Sequence, residues 1–322
     1  MNCDWNGAVP VATALYSLLK AANPGIPLEI HVIHDAKYMS EGGAGKARDV
    51  VKKFPFASVA FHDFTPYTDK YGDLLRDNPP RWPAETWGWC FCAELMPETT
   101  GNVVFIDWDT FVFKDLEELY SLDLESGGFV AAAVDEAARS ERPDLEKAGW
   151  SKAAGNSVNT GVIVIDIDAF RREKVLDRIL DWHRRHKSRT MCIEQDAFNV
   201  TFGERIKRIH PRWNFFVGWA ERPIRMNPFR KVWRVNPPAR IVEAAVDPGI
   251  VHFISGRKPW VYTHTPFRNR YRRALIELGF IKHDLPGERG FKKWVEGPFF
   301  DLYHWLIGVY CRMLLATLFR SR

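Results

Sequence analysis

The sequence predicts an α/β fold with a mainly parallel sheet, on three observations. Helix-period and strand-period segments alternate from the start of the chain. The segment Val103-Val104-Phe105-Ile106 is apolar at every position, as a central strand covered on both faces should be. A length of 322 residues with 46% hydrophobic and 26% charged content suffices for one substantial core or two small ones, with no stretch that reads as disordered.

Taken in order, residues 9–22 read as a helix, with Pro10 suited to its first turn and Val11, Leu15, Leu18 and Leu19 on one face. Residues 28–33 follow as a strand, 46–53 as a helix and 58–61 as a second strand. A loop rich in Pro, Asp and Trp then leads to an aromatic helix over 85–95. The strand at 103–106 ends in Asp107-Trp108-Asp109, which places carboxylates at the sheet edge where open α/β folds bind ligands. Further strands are expected at 129–134, 158–167 and 250–253, and an amphipathic helix over 169–186. No internal repeat or low-complexity run is present.

The formal charge of +5 is unevenly placed, because residues 257–322 hold 13 Lys and Arg against five Asp and Glu. That region lacks zinc-finger spacing, RNA-binding aromatic motifs and a helix-turn-helix signature, and it is rich in Trp, Phe and Leu, so an anionic membrane surface fits it better than nucleic acid. From residue 299 to 319 it is largely apolar, but Asp301, His304, Gly308 and Arg312 interrupt it, which argues for a helix lying on a membrane rather than spanning one. Cys3, Cys90, Cys92, Cys192 and Cys311 form no CxxC pair and indicate neither a disulfide framework nor a thiolate zinc site. With no signal peptide at the start, a reducing, cytoplasmic location is expected, peripheral on the inner face of the cell membrane.

Asp107 and Asp109 are spaced so that both carboxylates can approach one hard cation such as Mg²⁺ or Mn²⁺ together with phosphate oxygens. Two polar residues merely ending a strand would leave the same pattern. His252 ends another apolar strand and precedes Ser255-Gly256-Arg257-Lys258-Pro259-Trp260, a turn able to grip a diphosphate through Lys258 and the backbone N–H groups near Gly256. By itself, a histidine at a strand end is more often structural.

In four blocks the chain resembles glycosyltransferase family 8, in particular its bacterial members that transfer galactose or glucose to lipopolysaccharide-type acceptors. Phe105-Ile106-Asp107-Trp108-Asp109 looks like the family's DxD block and Asn159-Thr160-Gly161-Val162 like its Asn-x-Gly-Val strand. Glu194-Gln195-Asp196 with Asn199 looks like its acidic helix start, and His252-Phe253 through Lys258-Pro259-Trp260 like its late block. The order and approximate spacing agree from residue 4 to about 260.

The resemblance implies a GT-A fold over residues 1–264; from its own charge and apolar content, the stretch over 265–322 reads as a basic, apolar helical tail that associates with the membrane. It implies that Asp107, Asp109 and His252 bind Mn²⁺ or Mg²⁺, and that Asp4, Asn6, Trp108, Ser255, Gly256 and Lys258 hold a UDP-sugar donor. It places Asp135, Asn159, Gln195 and Asp196 near the donor sugar, with Gln195 beside the reacting carbon. Buried polar scaffolding is the alternative for these four, and for Asp196 a helix cap.

The implied activity is retaining transfer of a hexose, glucose or galactose, to a saccharide or glycolipid acceptor such as a lipopolysaccharide or other surface-glycan precursor. Two alternatives stand beside it. One is an inverting GT-A transferase using Asp135 or Asp196 as base; the other is a catalytically inactive nucleotide-sugar-binding module. An opposed-carboxylate glycosidase suits the strand-end pair less well.

The chain also departs from the family pattern. Only Met1 to Cys3 precede Asp4, where a first β-strand is expected, so the reading frame is expected to extend upstream with a short apolar run. Residues 87–94 carry no basic residue where the family usually supplies an Arg, and Ser255 stands at the family's glycine position with Gly256 one place later.

Overall fold

The computed structural model describes residues 7–35, 41–75, 84–98, 100–124, 130–134, 157–186, 193–217, 238–254, 258–261 and 265–281. The opening is a run of alternating helix and strand: α1 (Ala8–Ala21), β1 (Leu28–His34), α2 (Glu41–Val51) and β2 (Ala57–Asp63). β1 and β2 pair in parallel, Leu28 opposite Ala57, as expected of a strand–helix–strand unit. α1 is buried on more than the single face expected of it. Val9, Leu18 and the Ala12–Leu15–Leu19 stripe each pack into a different apolar cluster, so the helix is a shared wall rather than a surface element.

The loop expected after β2 is instead largely a helix, α3 (Thr65–Leu75). Asp63 caps its start, accepting from Thr65 N at 2.9 Å, and Tyr67 and Tyr71 pack at a tilt against Phe91 with ring centroids 4.7 and 5.9 Å apart. The expected aromatic helix is a 3₁₀ segment (Ala84–Phe91) running into the short α4 (Cys92–Leu95). Its Trp87, Trp89, Cys90 and Phe91 are wholly buried, so the stretch that lacks the family's Arg is core-packing structure here.

β3 (Asn102–Ile106) leads through Asp107-Trp108-Asp109 into β4 (Thr110–Val112), after which come α5 (Glu117–Tyr120), β5 (Val130–Val134) and β6 (Val158–Asp166). The expected 169–186 helix is two helices, α6 (Ile167–Arg172) and α7 (Val175–His186), separated where Lys174 takes φ 49°. Asp166 caps the first, accepting from Ala169 N. The chain continues through α8 (Ile193–Phe202), β7 (Ile206–Arg208), a 3₁₀ turn (Pro211–Asn214), β8 (Phe215–Phe216), α9 (Pro238–Val246), β9 (Ile250–His252) and α10 (Arg268–Glu277).

Among the described residues the strands form a β1-β2 pair, a four-stranded sheet ordered β3-β6-β5-β7 and a three-stranded sheet ordered β4-β9-β8. In place of the mainly parallel sheet expected from the alternation, strand direction is mixed: β1–β2, β5–β7 and β8–β9 pair in parallel, whereas β3 and β5 run antiparallel to β6, and β4 antiparallel to β9. Alternating element types set chain order, but strand direction depends on where each connection returns. Each residue of β3 is half-buried, whereas β6 is buried along most of its length and, among the described residues, pairs on both sides. On β6, Ile163 and Ile165 face one cluster and Val162 and Val164 another, all four at 0% exposure, which is the period-2 signature of a strand between two packed layers.

The first part of the expected tail belongs to the domain. In α10, Tyr271 and Leu275 are wholly buried with Phe253 and Trp260. Residues 282–322 lie outside the described residues. Among those described, no helix is long and apolar enough to cross a membrane.

Cys90 and Cys92 are free thiols inside the largest cluster. Burial pushes both up, Cys92 to about 12 from an ordinary 9.0. The unfolded chain therefore releases thiol protons above about pH 9 while the folded chain keeps them, so stability falls as pH rises past that point. Peptide mapping after iodoacetamide treatment should find both residues alkylated only once denaturant is present.

Candidate functional site

The β3 strand ends where its sheet meets the second one, and the three-residue turn Asp107-Trp108-Asp109 crosses the junction. On the β3 side, the ladder to β6 continues one step past Ile106, with Asp107 N donating to Gly161 O at 2.8 Å. On the β4 side, Thr110 lies opposite His252 and Phe253 N donates to Asp109 O at 2.9 Å. Thr110 Oγ1 closes the turn by donating to Asp107 O at 2.7 Å. Two sheets thus hold the two aspartates and the histidine in fixed register.

His252 Nε2 stands 3.2 Å from Asp109 Oδ1 and 3.6 Å from Asp107 Oδ2. One ligand atom from each residue falls within 4.8 Å of the others, a group able to hold a metal ion. The ring reaches this position because residue 161 is glycine. A Cβ there would lie 2.2 Å from His252 Cε1 and 2.8 Å from Asp107 Oδ2. The glycine of the Asn-Thr-Gly-Val strand is therefore a space requirement of the site.

Exposure is graded, with side-chain values of 4% for His252, 11% for Asp109 and 37% for Asp107, so the group opens to solvent on the Asp107 side. Burial and the neighbouring Asp109 push the Asp107 carboxyl up, against the pull of His252 and Lys258. Burial also opposes ionisation of Asp109, but His252 and Lys258 beside it overcome this and hold its carboxyl well below the usual range. Lys258 Nζ pairs with Asp109 Oδ2 and also donates to Phe253 O at 2.8 Å. It sits 5.8 Å from the ring centre of Trp108, which is 39% exposed and leans on Trp260 at 5.6 Å.

Asn159 and Gln195 are joined directly, Asn159 Nδ2 donating to Gln195 Oε1 at 2.9 Å. Asp196 is buried in the same first turn of α8, at 1% exposure. Asn199, one turn on, accepts from Val158 N at 2.7 Å and donates to Val158 O and Gln195 O, which pins the start of α8 to β6. Glu194 receives a long 3.4 Å contact from Thr160 Oγ1, and burial, with help from Asp107 and Asp196, pushes its carboxyl up to about 8.

The structure thus brings together Asp107, Trp108, Asp109, His252 and Lys258, and links Asn159 to Gln195. Asp4, Asn6, Asp135, Ser255 and Gly256 lie outside the described residues. Asn214 was missed in the sequence: it is wholly buried and hydrogen-bonds to both His252 and Asn159. Nothing local marks it, since Trp213-Asn214-Phe215 reads as an ordinary strand entry.

A family model described as glycosyl transferase family 8 matches residues 1–264. The chain belongs to this family. It is 27% identical over 186 residues to General stress protein A of Bacillus subtilis (strain 168), an alignment covering 55% of this chain and 59% of that protein. It is 24% identical over 230 residues to "Probable galacturonosyltransferase-like 4" of Arabidopsis thaliana, covering 66% and 62%. The chain thus spans about three fifths of the length of these relatives.

Among solved structures, an active-site mutant of LgtC superposes with a TM-score of 0.71 at 18% identity, covering 88% of this chain and 96% of that one. The galactosyltransferase LgtC in complex with donor and acceptor sugar analogues gives 0.68 at 17% identity, covering 86% and 95%. The fold is GT-A, as the motifs implied.

Gly161→Ala tests the space requirement. Forcing a methyl into the histidine's place should cost about 1–3 kcal/mol of stability and remove divalent-cation binding, the first read by thermal melting and the second by calorimetry.

Proposed function

We propose that this protein is a retaining glycosyltransferase that moves a hexose, glucose or galactose, from a UDP-sugar to a saccharide acceptor, a lipopolysaccharide or other surface-glycan precursor. The observation that carries this reading is the convergence of Asp107, Asp109 and His252 within 4.8 Å, with Lys258 beside them, at the junction of two sheets. Family membership supports transfer of a sugar, and LgtC's solution with donor and acceptor sugar analogues supports a nucleotide-sugar donor.

Two carboxylates and one imidazole make a mixed oxygen and nitrogen set that suits Mn²⁺, with Mg²⁺ as the alternative. The fit is supported by His252 itself, whose Nδ1 is taken up by Asn214 at 2.9 Å while Nε2 faces the carboxylates. A bound cation supplies Lewis-acid compensation for the negative charge of the donor diphosphate.

In this reading Lys258 adds positive charge where the departing UDP accumulates negative charge, and the backbone near Ser255 and Gly256 donates to its phosphates. Asp4 and Asn6 hold uracil and ribose, and the exposed face of Trp108 offers a stacking surface to the donor. Asp135, Asn159, Gln195 and Asp196 surround the sugar. The acceptor oxygen bonds to the anomeric carbon, the bond from that carbon to UDP breaks, and the acceptor proton passes to the departing phosphate oxygen. Gln195 lies against the opposite face of the electron-poor sugar ring.

The experiment is UDP release from UDP-glucose, UDP-galactose, their N-acetyl forms and UDP-galacturonic acid, with Mn²⁺ and with EDTA. EDTA should abolish turnover, and Asp109→Asn should lower it at least about 10²-fold while the protein stays folded, since the variant removes a preorganised electrostatic stabiliser but keeps the size of the side chain. Wild-type turnover unaffected by EDTA would sink the metal-dependent reading. Release of no UDP from any donor would favour a binding module. NMR of the product anomer separates retention from inversion.

The acceptor side is proposed to lie at an anionic membrane surface, on the inner face of the cell membrane, with the basic, apolar stretch beyond residue 281 as the contact. Deleting residues 290–322 should shift the protein from membrane to soluble fractions with UDP-sugar hydrolysis largely intact. Unchanged partitioning would refute the anchor.

A further inference from the structure

We infer that Asn214 is a positioning residue that sets the tautomer of His252 and, through Asn159, the amide orientation of Gln195, so that one hydrogen-bond chain orders both the cation site and the sugar site. The inference rests on the reading that Asp107, Asp109 and His252 hold a cation.

The polarity of the chain follows from a donor that cannot be reversed. The backbone N–H of Gly161 donates to Asn159 at 2.9 Å, so the atom it meets is the oxygen Oδ1. The Asn214 atom 2.9 Å from that oxygen must then be its NH₂ group. Its carbonyl Oδ1 is left facing His252 Nδ1, also at 2.9 Å, and a carbonyl can only accept. Nδ1 therefore carries a hydrogen, which leaves Nε2, the nitrogen that faces Asp109 and Asp107 at 3.2 and 3.6 Å, as the one that can give a lone pair to a bound cation.

In the other direction, Asn159 has its oxygen committed to two donors, so its NH₂ meets Gln195 Oε1 at 2.9 Å. Gln195 is thereby turned with its own NH₂ away from Asn159. The chain is largely withdrawn from water, with Asn214 at 0%, His252 at 3% and Gln195 at 8% exposure and Asn159 half-buried. In such surroundings a reversed amide would set like dipoles against each other at hydrogen-bond distance, which opposes flipping.

Asn214 is itself held rigidly. Its 3₁₀ turn is fixed by Trp213, whose N donates to His210 O at 3.0 Å and whose indole Nε1 donates to Glu118 at 3.0 Å. The Trp213 ring covers Gly249, where a Cβ would come within 2.5 Å of it. The imidazole is thus oriented from the β8 side by a neutral amide, without a third negative charge being added to the site.

The test compares wild type, Asn214→Leu and Asn214→Asp by Mn²⁺ titration read from the free-ion EPR signal, with Asp109→Asn as the control for the cation site. Leu, of similar volume but with no acceptor, should weaken Mn²⁺ about 10–100-fold. Asp restores an acceptor for Nδ1–H but sets an oxygen against Asn159 Oδ1. Its Mn²⁺ affinity should recover most of the loss while its turnover stays low. Equal affinity in all three, or equal loss in both variants, would overturn the inference.

A second measurement needs no variant: ¹⁵N NMR of the histidine side chains in the Mg²⁺ complex should show His252 protonated at Nδ1. A proton on Nε2 in that complex would overturn the inference as well. Wild-type protein that binds no Mn²⁺ at all defeats the cation reading instead, which keeps the two failures apart.

Discussion

The candidate site depends on an empty volume: opposite Asp107, the central strand β6 carries Gly161, and the His252 imidazole occupies the space that any other side chain would fill. The ring belongs to the second sheet and the glycine to the first. Their close approach draws the end of β9 across the Asp107–Asp109 turn and brings nitrogen and carboxylate ligands to one point. The apolar layers on either side of β6 make the approach rigid, because Val162, Ile163, Val164 and Ile165 are all fully packed and leave the strand no freedom to move aside.

The electrostatics follow from that geometry. Two carboxylates are placed close together and partly withdrawn from water, so one is pushed up and the other, paired with Lys258, is pushed down. Such an arrangement is poorly balanced without further positive charge. It is stabilised on its buried side by neutral groups, Asn214 and Asn159, rather than by more ions. Solvent access on the Asp107 side leaves room for an anionic ligand to approach.

The aromatic content is chiefly a property of the core. Trp87, Trp89 and Trp213 are wholly buried, and among the described residues Trp108 is the large aromatic that is exposed. Arg171 shows how the same core positions the site: its guanidinium donates to the carbonyls of Ala93, Met96, Pro97 and Glu98. These bonds satisfy the end of α4 and aim the chain into β3, at whose far end the aspartates stand.

The sequence by itself determined the order of helices and strands, the presence of carboxylates and an imidazole at two strand ends, and the family. Those features are local, since apolar periodicity and a polar residue after an apolar run are both visible within a dozen positions. Only the tertiary structure decided strand direction, the pairing of β3 with β6 and the packing of α10 into the domain. It also joined Asp107, Gly161, Asn214 and His252, four residues spread over 146 positions whose contact requires two sheets to meet. Asn214 illustrates the reason: an amide's role is set by which donor and acceptor it faces, and in this fold those partners arrive from different strands.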